Sequence, residues 1–301
     1  MKQNVLIISC IFGNKFKRVY PAPFSSNCYF FSNNMMLKTE VEKKDWKFIF
    51  VDSKLSSDNI TSSLQSKYIK FLIFLNDYPE FKKYKQILYF DHKVFIKETD
   101  VDALIDILNE NDNDKYNIII RKHENYRKNI WSEVEEAKKQ ERYNKNMNKT
   151  ITFINEKINK NEITADVDIC NTGLILYNNY DDILPMLNDI YNTCIKLEQP
   201  ECQIIWSIYS QKYSNKIKLI EFDYVKPLWK EPFTNRINKS NANNENNVNT
   251  TSYSYTDYFM YLLFFLIMLC IIYIFLYPIY SLKKIDVYKI IKNKLHIKSS
   301  V

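Results

Sequence analysis

The segment 86-QILYFDHKVFI-96 is an apolar run that delivers an aspartate, a histidine and a lysine in succession: Asp91, His92 and Lys93. A carboxylate beside an imidazole can hold a divalent cation, Mn²⁺ or Mg²⁺, and such an ion neutralises a diphosphate. Lys93 can offset phosphate charge directly. Ligands of open α/β sheets bind at strand ends, where this triplet is expected to lie. Side chains alternate along a strand, so the pattern predicts Asp91 and Lys93 on one face and His92 on the other.

Three further segments carry chemistry. In residues 117–143 a strand ends at Arg121, Lys122 and His123, and Arg127 and Lys128 precede a helix that begins near Asn129 and bears Glu133, Glu135 and Glu136. Glu135, Lys138 and Lys139 read as a solvated helix face, whereas His123 sits at the strand end. In 164-TADVDICNTGLILYN-178, Asp166 and Asp168 alternate in an extended segment ahead of Asn171, Thr172 and Gly173. In 199-QPECQIIWSIY-209, Pro200 suits a first helical turn, Glu201 and Gln203 lie near the helix start, and Trp206 reads as core.

Gly13 and Gly173 are the only glycines in 301 residues. A P-loop or a G-x-G-x-x-G turn needs several glycines within a few residues, so neither exists. A nucleotide would have to be held by side chains, a metal or a helix N-terminus. In so glycine-poor a chain, each glycine is expected to mark a close backbone approach or a positive φ.

The net charge is +7, but six lysines against one aspartate in residues 283–301 supply most of it. The remaining body is nearly balanced, which argues against nucleic acid as a partner, because phosphate backbones require a clustered basic surface. The six cysteines form no C-x-x-C pair and are expected to be reduced and mostly buried.

The elements that position these residues follow from periodicity. Strands are predicted at 5–12, 27–32, 47–51, 86–90, 117–121, 172–177 and 217–222, and helices near 62–75, 99–110, 130–145, 181–197 and 201–212. Such alternation predicts an α/β fold, helices packed on a mostly parallel sheet, over residues 1–232. Residues 233–257 are Asn-rich and read as a flexible linker. Residues 258–282 contain no charge and would form a helix of roughly 37 Å, enough to cross a hydrocarbon core of about 30 Å. Residues 283–301 form a basic tail that favours an anionic membrane face. The N-terminal apolar run is short and β-branched, so it reads as a first strand rather than a signal peptide. The expected arrangement is a cytosolic body with a single-pass anchor near the C-terminus, although the lysine-rich tail then runs against the positive-inside tendency.

In order, these segments resemble one family: the glycosyltransferase-like domain of plants, bacteria and large DNA viruses that includes the plant mucilage and turgor-defect proteins. The matching residues are Ile11-Phe12-Gly13, Phe90-Asp91-His92-Lys93, His123 with Arg127 and Glu133, Asn171-Thr172-Gly173, and Glu201-Cys202-Gln203. The run 68-YIKFLIFLNDYPEFKKYKQILYFD-91 is similar to the family's lysine helix, short loop and strand. The likeness covers about residues 3–225.

The resemblance implies a GT-A fold, a nucleotide-binding α/β sandwich whose Asp-bearing strand end meets a sugar nucleotide. It implies donor contacts from Gly13, Asp91, Lys93, His123, Arg127, Asn171, Thr172, Gly173 and Gln203, with Asp91 and His92 at the cation. The second carboxylate of the usual D-x-D is here Lys93, Asn171 stands where the family often has Glu, and Cys202 where it often has Asp. Transfer to an acceptor hydroxyl needs a base. The carboxylates available are Glu201, Asp168 and Glu133, in that order. The expected activity is sugar transfer from a nucleotide-sugar donor to a glycan, lipid or protein acceptor at a membrane. The alternative is a catalytically inactive GT-A-like scaffold.

Overall fold

The computed structural model describes residues 4–15, 19–109 and 116–224. All of them lie in the first of the chain's two units, Met1–Ile237. The predicted linker 233–257, the apolar run 258–282 and the basic tail lie outside the described residues. Among the described residues no helix is long and apolar enough to cross a membrane.

The elements run β1 (Val5–Cys10), β2 (Cys28–Ser32), α1 (Lys38–Glu42), β3 (Lys47–Phe50), α2 (Asn59–Lys70), β4 (Gln86–Phe90), α3 (Glu98–Asn109) and β5 (Ile118–Lys122), then α4 (Ile130–Lys138), α5 (Glu141–Asn144), α6 (Met147–Asn159), β6 (Cys170–Asn178), α7 (Leu184–Leu197), α8 (Cys202–Tyr209) and β7 (Ile217–Ile220). They build one seven-stranded sheet in the order β3-β2-β1-β4-β6-β5-β7.

The sheet is covered on both faces, which is why its central strands read as continuous apolar runs. Every residue of β1 is buried. Leu6, Ile8, Phe31, Ile87, Tyr89 and Ile175 face a core shared with Ile69 of α2, Val134 of α4, Leu187 of α7 and Trp206 of α8. Their neighbours Ile7, Phe30, Leu88, Phe90 and Leu176 face a second core, closed by Val41 of α1 and by Val101 and Leu104 of α3. β3 lies at the edge, with Lys47 and Phe50 exposed. The five described cysteines are free and buried, as their spacing suggests.

The expectation of a mostly parallel sheet holds for β1 to β4 and for β5 with β7. It fails at β6, which runs antiparallel to both β4 and β5. The chain leaves β5 at Lys122 and re-enters the sheet at Cys170, which pairs with Lys122. An excursion that starts and ends at the same edge must return in the opposite direction. This reversal sets the beginning of β6 beside the ends of β4 and β5. A shift of register between Ile120 and Arg121 then brings Arg121 opposite Asn171.

Gly13 follows β1 with a φ of +92°, and a Cβ there would lie 2.2 Å from Ser62 Oγ and 2.8 Å from the Ser56 carbonyl oxygen. Both readings of a rare glycine therefore apply. Its N–H donates to Asn33 Oδ1 (2.9 Å) and its carbonyl accepts from Asn34 Nδ2 (3.3 Å). Gly13→Ala is expected to destabilise the body by about 1–3 kcal/mol, read as a lower urea midpoint at unchanged m-value.

Candidate functional site

Strand order reverses between β1 and β4: β2 and β3 lie on one side of β1, and everything after β4 lies on the other. A crevice opens at such a point, outside the carboxyl ends of the strands. Here it is a cleft of about 320 Å³ lined by Cys10, Ile11 and Phe12 after β1, by Asp91, His92 and Lys93 after β4, and by serines and lysines of the loop before α2 and of α2 itself. Five cationic side chains line it (Lys15, Lys67, Lys70, Lys93 and Arg142) against a single carboxylate, Asp91.

A second cleft of about 280 Å³ abuts the first along Lys67, Lys70, Asp91, Lys93, Arg142 and Tyr143. It extends over the ends of β5 and β6 to Arg121, His123, Arg127, Glu133, Asn171, Thr172, Gly173, Glu201 and Gln203. The two share Asp91 as a common wall.

The Asp91-His92-Lys93 triplet departs from strand alternation. β4 ends at Phe90, and the Val94 N–H donates to the Asp91 carbonyl at 2.8 Å, closing a turn. All three residues consequently line the first cleft, instead of His92 being parted from the other two across the sheet.

Asp91 is anchored from three sides. Its N–H donates to the Gly173 carbonyl (2.9 Å), and its Oδ1 accepts from Tyr89 Oη (2.7 Å) and pairs with Lys70 Nζ (3.2 Å). Burial opposes ionisation of Asp91, but the charges of Lys70, Lys93 and Lys67 and the Tyr89 hydroxyl outweigh it and hold the carboxyl well below the usual carboxylate range. Burial likewise disfavours the Lys70 ammonium, and Asp91 more than restores it, raising its pKa. Lys70 Nζ also lies 3.9 Å from Cys202 Sγ and 5.2 Å from the Tyr89 ring centroid. No group of three or more His, Cys, Asp or Glu side chains converges among the described residues.

Gly173 permits this packing. A Cβ on it would stand 2.9 Å from Asn171 Oδ1 and 3.3 Å from Asp91 Oδ2. Asn171 Oδ1 accepts both from the Gly173 N–H (3.0 Å) and from Arg121 Nη2 (3.1 Å). Thr172 Oγ1 contacts Cys202 Sγ at 3.3 Å.

The second cleft centres on Glu133, in the first turn of α4, whose N-cap Asn129 accepts from the Trp131 N–H. Glu133 Oε1 accepts from Gln203 Nε2 (3.2 Å), and Oε2 pairs with Arg127 Nη1. His123 Nδ1 accepts from the Asn125 N–H (3.1 Å), which leaves Nε2 facing Glu133 Oε2 at 3.9 Å. Burial, followed by the charge of Glu201, pushes the Glu133 carboxyl up to about 7 against the opposing pull of Arg127 and Gln203. Glu201 is the N-cap of α8: its Oε1 accepts from the Gln203 N–H at 3.1 Å.

The fold thus gathers Asp91, His92, Lys93, His123, Arg127, Glu133, Asn171, Thr172, Gly173, Glu201 and Gln203 on the walls of two joined clefts. Gly13 adjoins the first cleft through Phe12. Asp168 is different: it is exposed, precedes β6 rather than extending it, and lines neither cleft. Lys67 and Arg142 have no part in the sequence reading, and Lys70 and Tyr89 enter it only within the run 68–91. The available signal was the i, i+3 spacing of Lys67 and Lys70 in the last turn of a helix, which places both on one side.

No protein-family model matches the chain, and no curated protein matches it either. Among solved structures, the chain is similar to a glycosyltransferase involved in glycosylation of the major capsid of PBCV-1, at 10% identity and a TM-score of 0.37, over 72% of this chain and 81% of that one. It is also similar to mouse xyloside xylosyltransferase 1 (11%, 0.35, over 71% and 84%). A third is a CMP:2-keto-3-deoxy-manno-octonic acid synthetase complexed with CTP (9%, 0.35, over 72% and 89%).

Proposed function

We propose that the protein transfers a sugar from a nucleoside-diphosphate donor to an acceptor hydroxyl, on a GT-A-like body tethered to a membrane through residues 258–282. The observation that carries this reading is the junction at Asp91 of a cation-lined cleft with one built around a buried carboxylate. The first suits a diphosphate and the second an acceptor hydroxyl.

In the reaction the bond between the anomeric carbon and the donor phosphate oxygen breaks, and its electron pair leaves with the nucleoside diphosphate. The acceptor oxygen bonds the anomeric carbon and gives up its proton. Lys93 and Arg142, on the shared wall, offset the added phosphate charge. Asp91 Oδ2 makes no hydrogen bond among the described residues, and in this reading it accepts from a donor hydroxyl. Glu133 takes the acceptor proton. It is preferred to Glu201, whose oxygen caps α8, and to Asp168, which lies outside the clefts.

The test is donor turnover by the full-length chain against UDP- and GDP-sugars. The expected result is release of nucleoside diphosphate from at least one donor, reduced about tenfold or more in Asp91→Ala. An inactive scaffold is the second reading, favoured by the protein partners already on Asp91 Oδ1 and on both Glu133 oxygens. Absence of turnover with every donor, in a folded chain that still binds a nucleoside diphosphate, would select it.

A further inference from the structure

We infer that this cleft holds a diphosphate without a divalent cation, and that the ammonium of Lys67 occupies the electrostatic role such an ion would play. The inference rests on reading the first cleft as a diphosphate site, and it goes beyond that reading by assigning the counter-charge.

The residues offered for a cation are Asp91 and His92. They do not suit one. Asp91 Oδ1 already carries Tyr89 Oη and Lys70 Nζ, so only Oδ2 is open to an ion, and a dication there would sit against the buried ammonium of Lys70. Lys67 and Lys93 line the same wall, and each would repel a second positive charge. No third ligand of the carboxylate, imidazole or thiolate class converges on the pair among the described residues. Hard divalent cations take six or more oxygen ligands and favour several carboxylates. Here the positive charges outnumber the negative ones before any ion arrives.

Lys67 is the group without a direct partner: its charge lowers the Asp91 carboxyl, but its ammonium does not touch it. It is 7% exposed, lines both clefts, and makes no hydrogen bond or ion pair through its ammonium among the described residues. A lysine that is nine-tenths buried and lacks a direct anionic partner is costly unless something pairs with it. Lys70, one turn further along α2, differs: Asp91 neutralises it. The two lysines therefore divide the work. Lys70 compensates Asp91 and positions it, while Lys67 keeps its charge available to a ligand anion. The chemistry that completes such a site is a phosphate group small enough to enter a cleft of about 320 Å³.

The experiment is calorimetric titration of the full-length chain with UDP, GDP and inorganic pyrophosphate, each in excess EDTA and in Mn²⁺. The expected result is a dissociation constant that changes less than about threefold between EDTA and Mn²⁺. Lys67→Met, which keeps the apolar stem, weakens binding at least about tenfold at unchanged melting temperature, and Lys67→Arg restores most of it. Binding that appears only with Mn²⁺, or that is indifferent to Lys67→Met, overturns the inference while leaving the proposed function standing. If neither nucleotide binds under any condition, the proposed function falls instead. The inference then survives on chelator-independent, Lys67-dependent binding of pyrophosphate, and its absence overturns it.

Discussion

Glu133→Gln is expected to lower donor-to-acceptor turnover by roughly 10²–10⁴-fold, the usual contribution of a positioned proton acceptor. The substitution keeps the shape and leaves an oxygen for Gln203 Nε2, so the loss should appear in kcat with little change in donor KM. The pH profile supplies an independent readout. A base must be ionised to accept a proton, and Glu133 sits at about 7. Wild-type turnover is therefore expected to rise between about pH 6 and 8 and to level above. In Glu133→Gln the residual rate should lose that limb. Stability runs the other way. A carboxyl raised in the folded state binds its proton more tightly there than in the unfolded chain, so this group adds stability as pH falls from about 7 towards 4.5 and adds none above. A flat wild-type profile between pH 6 and 8 would remove Glu133 from the role.

Lys70→Met should produce the largest loss of stability, roughly 3 kcal/mol, because it strands Asp91 against Tyr89 without its ammonium. In a body of this size that corresponds to a fall in melting temperature of roughly 6–12 °C. Pairing it with Asp91→Asn should recover part of the loss, since the stranded charge is then gone, and a double-mutant cycle isolates the coupling. The pH dependence follows from the lowered Asp91 carboxyl. Its contribution is complete above the unfolded carboxylate range and is lost as pH falls through that range towards the folded value. Acid unfolding of wild type should therefore be steeper below about pH 4 than that of Lys70→Met. Equal stability of the two proteins at neutral pH would show that the ion pair contributes nothing.

The strands were legible because a sheet covered on both faces demands uninterrupted apolar runs, and VLIISC or QILYF can be little else. Direction was not legible. Nothing in CNTGLILYN distinguishes an antiparallel strand from a parallel one, since its course depends on where residues 123–169 travel. Helix α6 escaped notice because its apolar positions, Met147, Ile151, Ile154 and Ile158, are spaced among Asn, Lys and Thr of the kind that crowd the whole chain. The long predicted helix at 130–145 divides at Lys139–Gln140 into α4 and α5.

At the site, single residues at element ends could be read, whereas pairings across the fold could not. His123 and Gly173 stand where their positions suggested. The Lys70–Asp91 pair joins a helix to a strand across a sequence gap that contains a loop and two short 3₁₀ turns, and no periodicity reports such a contact. Glu201 shows the opposite difficulty. An acid at a helix start is equally a cap and a catalytic group by type, and only the hydrogen bond to the Gln203 N–H separates the two. Asp168 looked like part of an alternating strand, but β6 begins at Cys170.

The pairing of Lys122 with Cys170 has a bearing on how such a protein can diversify. The two ends of the intervening stretch are strand neighbours, about 5 Å apart, so a replacement of any length starts and finishes on a prebuilt doorstep. That stretch supplies Arg127 and Glu133, while the cationic crevice at the β1–β4 break is built mainly by other parts of the chain. Exchanging it as a cassette would re-tailor the second cleft and, apart from Arg142 and Tyr143, leave the residues at the break in place.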